Sequence, residues 1–128
     1  MLVVLLVACA LIWLVMALTI HETGHYVAAR WRGFPARIVF RWAGPGVLWG
    51  NDGRVSTGRE RAAVSLAGPA ASVALAAATW VPANTETING LIWIGATLIS
   101  LLVAVLNLVP FGPSDGKHAL NALRNSGA

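Results

Sequence analysis

The sequence predicts an all-α integral membrane protein of three transmembrane helices, with room for a short membrane-associated β-hairpin between the first and second. Of its 128 residues, 57% are hydrophobic and only 11% charged, far from the balance of a soluble domain. The apolar residues gather in three stretches, about 2–29, 62–81 and 88–109. Each is long enough to cross roughly 30 Å of hydrocarbon at about 1.5 Å per residue. The basic residues gather instead in the connection 30–61, the pattern of a cytoplasmic loop. The chain 1–128 therefore reads as one membrane unit, with 110–128 as its C-terminal segment.

The first stretch has no charged residue from Leu2 to Ile20. No Lys or Arg lies near Met1, and the run passes into polar residues rather than a small-residue cleavage site, which argues against a cleaved signal peptide. Cys9 is the chain's one cysteine, so neither an intramolecular disulfide nor a cysteine metal cluster is expected.

At the end of this run stands His21-Glu22-Thr23-Gly24-His25. On a helix, His21 and His25 are one turn apart on one face and can offer two imidazole nitrogens to a single Zn²⁺. Glu22 projects beside them, placed to act as a general base on an attacking water without being a ligand. Polar groups at such a depth are costly unless they have partners or a task. The blander alternative is a pair of interfacial histidines ending a span. Gly24 removes a side chain where a neighbouring helix or a substrate backbone can come close.

In the connection, Arg30, Arg32, Arg37, Arg41, Arg54, Arg59 and Arg61 are offset only by Asp52 and Glu60. It is expected to face the cytoplasm, which puts the N-terminus outside. The formal charge of +4 does not point to nucleic acid, because the basic residues are interspersed with apolar ones between two spans. Ala36 to Trp42 alternates weakly like a strand, Gly44-Pro45-Gly46 reads as a turn, and Val47-Leu48-Trp49 can return as a second strand. Trp31, Trp42 and Trp49 suit an interfacial position, and Asn51-Asp52-Gly53 marks another turn.

Within the second stretch, Gly68-Pro69 can kink the helix, and Ser65, Gly68 and Ser72 permit close helix packing. The link Pro82 to Thr87 carries one acidic and no basic residue, as expected of an outward turn. The third stretch then ends on the side where His21 and His25 lie. Pro110 and Pro113 stop that helix, and a short helix is expected from Lys117 to Arg124.

Asp115 is thus the best carboxylate for a third metal ligand, leaving a fourth position open. Glu86 lies on the opposite side, and Asp52 and Glu60 belong to the arginine-rich connection. The alternative role for Asp115 is to N-cap the terminal helix, a task that Ser114 could take instead. Asn107 could orient a ligand or a substrate backbone, or make a packing hydrogen bond. His118 reads as a surface residue.

Taken together, His21-Glu22-Thr23-Gly24-His25, Ala67-Gly68-Pro69-Ala70-Ala71-Ser72 and Asn107-Leu108-Val109-Pro110 followed by Asp115-Gly116 resemble the three signature elements of the site-2 protease family of intramembrane zinc metalloproteases (peptidase family M50). The resemblance covers essentially the whole chain as a minimal three-span core. It implies one Zn²⁺ per chain held by His21, His25 and Asp115, catalysis by Glu22, and cleavage of a membrane-protein or membrane-peptide substrate in or near its transmembrane segment. It also implies that a hairpin around Ala36 to Trp49 helps to receive an extended substrate.

There are departures: Ser72 stands where many relatives have Asn, and Phe111-Gly112-Pro113-Ser114 is less typical before Asp-Gly. With Gly68, Ser72 and Asn107 as candidate supporting or substrate contacts, the expectation is a multi-pass protein of the cell membrane whose active site lies towards the cytoplasm. Two competing readings stand beside it. One is a catalytically inactive protease-like scaffold or substrate-binding subunit, and the other is a zinc-dependent hydrolase of a non-peptide substrate. Oligomeric state is not legible in the sequence.

Overall fold

The computed structural model describes residues 1–41, 44–50, 53–83, 86–110 and 112–125. In chain order these form α1 (Leu2–Trp31), β1 (Ala36–Arg41), β2 (Gly44–Trp49), α2 (Gly58–Trp80), α3 (Ile88–Leu108) and α4 (Asp115–Arg124). The helices α1, α2 and α3 are each long and apolar enough to cross a membrane. The predicted fold class is the observed one. Trp42, Asn51, Asp52 and Phe111, and the middle of the Pro82 to Thr87 link, lie outside the described residues.

Helix α1 runs two residues past the expected end because its last turn is closed by the backbone. Phe34 N–H donates to the Ala29 carbonyl and Gly33 N–H to the Arg30 carbonyl, both at 3.0 Å. That is a Schellman motif, and it needs a left-handed residue after the helix; Gly33 supplies it with φ of 82°. Phe34 is thereby folded back into a small core with Ala29 and Val64. The turn launches the hairpin and pins its base to α1 and α2.

The two strands pair antiparallel, with Ala36 opposite Trp49, Ile38 opposite Val47 and Phe40 opposite Pro45. Here the sequence reading needs a correction. Gly44-Pro45-Gly46 is strand, not turn, and pairs with Val39 to Arg41 of β1. A proline at this place is tolerated because a two-stranded sheet is all edge, so its missing N–H leaves no central ladder position unfilled. Trp49 meets the Phe34 ring edge-on at 5.3 Å and is half-buried there. Trp31 is exposed.

Helix α2 starts a turn before the predicted span. Thr57 and Glu60 form a capping box, Thr57 accepting from the Glu60 backbone N–H and Glu60 from that of Thr57. This pair of bonds satisfies two helix-end donors, so charged residues begin a helix whose apolar part comes later. Arg54 reinforces the start, pairing with Glu60 and donating to the Arg32 carbonyl at 2.9 Å while lying over the Phe34 ring. It ties the end of α1 to the beginning of α2.

Buried residues on α1 fall at Ala17, His21, His25 and Ala29, a stripe at every fourth position that faces α2. Gly24 makes the contact close: a Cβ there would lie 2.5 Å from the Ala67 carbonyl oxygen. Of the two uses expected for Gly24, helix packing is the one observed. Helix α3 is fixed by polar side chains, Trp13 Nε1 donating to Ser100 Oγ at 3.2 Å and Thr79 Oγ1 lying 2.9 Å from Thr97 Oγ1. Large aliphatic residues at Leu5, Leu11, Val73, Leu98 and Leu102 point outwards, as lipid-facing surfaces do.

Candidate metal centre

The histidine pair sits where α1, α2 and α4 meet. His21 and His25 are buried, with exposures of 2% and 7%, and their Nε2 atoms are 3.3 Å apart. Both rings lie against Gly68 of α2. A Cβ there would collide with His25 Nε2 and would come within 2.8 Å of His21 Nε2. Gly68 therefore makes room for the imidazoles themselves. Pro69, buried beside it, removes the N–H that the Ser65 carbonyl would otherwise accept and loosens this turn.

Each ring is oriented from α2. His25 Nδ1 lies 2.7 Å from the Val64 carbonyl oxygen, which can only accept, so Nδ1 carries the proton and Nε2 is the lone-pair nitrogen of the neutral ring. His21 Nδ1 lies 3.0 Å from Ser72 Oγ, which can accept the same N–H. Ser72, fully buried, thus makes a contact with a histidine in spite of being shorter than Asn. A sequence pattern cannot show the Val64 contact, because a backbone carbonyl has no residue signature.

Asp115 comes to the same point from α4. Its Oδ2 is 2.9 Å from His21 Nε2 and 3.1 Å from His25 Nε2. Ser114 is the N-cap of α4, accepting from Lys117 N–H and donating to the Val109 carbonyl. This leaves the Asp115 carboxylate for the histidines. Gly116 allows the approach, since a Cβ there would run into the Leu108 backbone. Burial pushes the Asp115 carboxyl up, but when the His21 and His25 rings are protonated their hydrogen bonds and charge outweigh it and hold it at about 2.

Glu22 stands beside this cluster, half-buried, with Val47 of β2 across a small cavity. The cavity, of about 130 Å³, is lined by Glu22, His25, Val47, Trp49, Val64, Ser65 and Asp115. The ligand-type atoms of His21, Glu22 and His25 all lie within 4.8 Å of one another. Asn107 Nδ2 donates to the Val103 carbonyl of its own helix at 2.9 Å. His118 is exposed on α4.

The donor set fits a metal ion. A tetrahedral ion with bonds of about 2.0–2.1 Å holds its ligand atoms about 3.3 Å apart, close to the separations among the two Nε2 atoms and Asp115 Oδ2. Lone pairs of two neutral rings and a carboxylate converging in this way repel unless a cation, either a metal ion or ring protons, sits among them.

Three transmembrane-length helices, and a buried cluster able to chelate a metal where α1, α2 and α4 meet, define the class of this molecule. No family model matches the sequence. The chain is similar to the provisionally named zinc metalloprotease Rip3 of Mycobacterium tuberculosis, in its Erdman and H37Rv strains alike. The identity is 32% over 125 residues, covering 92% of this chain. The chain spans about a third of the length of those curated relatives, 31% in each.

Proposed function

We propose that the chain is a membrane-embedded zinc metalloprotease core of the site-2 protease type, hydrolysing peptide bonds in or near transmembrane segments of membrane proteins. The observation that carries this reading is the convergence of His21 Nε2, His25 Nε2 and Asp115 Oδ2 within 2.9–3.3 Å beside Glu22. The similarity to a protein named as a zinc metalloprotease supports it. His21, His25 and Asp115 would hold the ion, which when bound polarises the scissile carbonyl and makes water a nucleophile near neutral pH.

The protein's own groups do the rest. Glu22 takes the proton of the attacking water and returns it to the leaving amine, the work of a positioned general base. Ser72 and Val64 fix the ring orientations through the nitrogens that face away from the cluster. Strand β2 has a side not paired with β1, and an extended substrate segment can add to such an edge by backbone hydrogen bonds. The connection between α1 and α2 faces the cytoplasm in this reading, with the N-terminus outside.

Replacing Glu22 by Gln tests the assignment. Cleavage of a reconstituted transmembrane peptide should fall by about 10²–10⁴-fold, while zinc content stays the same. Undiminished cleavage by the folded Glu22→Gln protein would remove the general base from the account.

A further inference from the structure

A second cavity, of about 330 Å³, lies in the groove between α2 and α4 and is lined by Trp49, Arg61, Ser65, His118, Asn121, Ala122 and Asn125. It shares Trp49 and Ser65 with the smaller cavity beside Glu22. Helical spacing explains why the two adjoin. Asp115, His118, Ala122 and Asn125 follow one another at three- and four-residue steps along one stripe of α4, and Arg61 and Ser65 are one turn apart on α2. The two helices are held together along this line by Ala62, Ala119 and Ala122.

The groove is polar, and among the described residues its walls contain no carboxylate. Among the described residues Arg61 is in no ion pair with an acid, and the nearest acid in sequence, Glu60, is engaged by Thr57 and Arg54. An Arg with its fork of donors, flanked by an imidazole and two amides, is the donor set that binds a carboxylate.

We propose that this groove is a substrate subsite that takes a carboxylate on the segment flanking the scissile bond. The proposal rests on the protease reading for its direction, since the groove adjoins the Glu22 cavity at Trp49 and Ser65. Helix α4 has 10 residues and so is roughly 15 Å long, which accommodates about four residues of extended chain at roughly 3.3 Å each. The carboxylate therefore belongs to an Asp or Glu within about four residues of the cleaved bond, or to the new terminus of the product.

Calorimetric binding to the Glu22→Gln variant of the whole 128-residue chain in a neutral detergent tests this without turnover. The probes are a transmembrane peptide with a four-residue polar flank carrying Asp, and its Asn and Lys counterparts. Binding of the Asp peptide should be about 10-fold tighter than that of the Asn peptide. Arg61→Glu should reverse the order in favour of Lys, and His118→Gln should narrow the Asp preference.

Free-acid and amidated peptides ending at the cleavage point separate the two sources of carboxylate, and tighter binding of either acid supports the subsite. Equal binding of the acidic and neutral peptides would overturn it. So would displacement of the Asp peptide by phosphatidylglycerol as readily as by itself, which would give the groove to lipid headgroups. Charge preference in a protein whose native form cleaves none of the peptides would keep the subsite and end the protease reading. Cleavage without preference would do the reverse.

Discussion

Between Leu2 and Met16, helix α1 presents nearly every large aliphatic side chain outwards, and Val3, Val4, Leu11, Ile12 and Val15 are more than half exposed. From Ala17 to Ala29 the same helix buries two histidines and two alanines, while Gly24 lies against the Ala67 backbone. In a bilayer the first half has lipid for a neighbour, which is as apolar as its leucines and rewards no particular partner. The second half has protein, and there small residues bring backbones together and polar groups satisfy one another. Among the described residues no buried side-chain nitrogen or oxygen lacks a partner. Hydrophobicity therefore marks what faces lipid, and interruptions of it mark the site.

That contrast can be broken most severely at Gly68. Gly68→Val would drive a side chain into the space of both imidazoles, and the protein is expected to lose stoichiometric zinc, read by metal analysis of the detergent-purified protein. Ser72→Ala is milder. It removes the group that faces His21 Nδ1 and should weaken zinc by about 10–100-fold in chelator competition, with Ser72→Asn retaining tighter binding than Ala.

Thr57→Ala sharpens the contrast differently, because it removes half of a capping box without touching the site. It should cost about 1 kcal/mol of stability in a denaturation assay and leave zinc affinity unchanged. Smallest of all is Leu11→Ala on the lipid-facing half, expected to change stability by no more than about 0.5 kcal/mol. A cost of several kcal/mol there would mean that this face is packed against protein.

The same contrast explains what was legible beforehand. Span number and approximate position follow from apolar runs, which need no knowledge of neighbours. His21, Glu22 and His25 were legible because their helical spacing alone puts them together, and Asp115 because topology returns the third span to their side. What escaped was set by tertiary contact. The Val64 carbonyl has no sequence signature, and Gly68, read as a packing residue, turned out to make room for rings from another helix. The hairpin turn was misplaced because Gly-Pro-Gly is a strong turn signal, whereas an open edge strand accommodates it. Asn107, read as a ligand or substrate contact or as a packing hydrogen bond, donates its Nδ2 to its own helix.

The most direct measurement is zinc per chain in the purified native protein, compared with the His21→Ala, His25→Ala double variant and with Asp115→Ala. The account predicts one tightly held zinc in the native protein, none in the double variant and weakened binding in Asp115→Ala. A well-folded native protein that takes up no zinc when it is supplied would contradict the account and leave two packed histidines in a membrane scaffold.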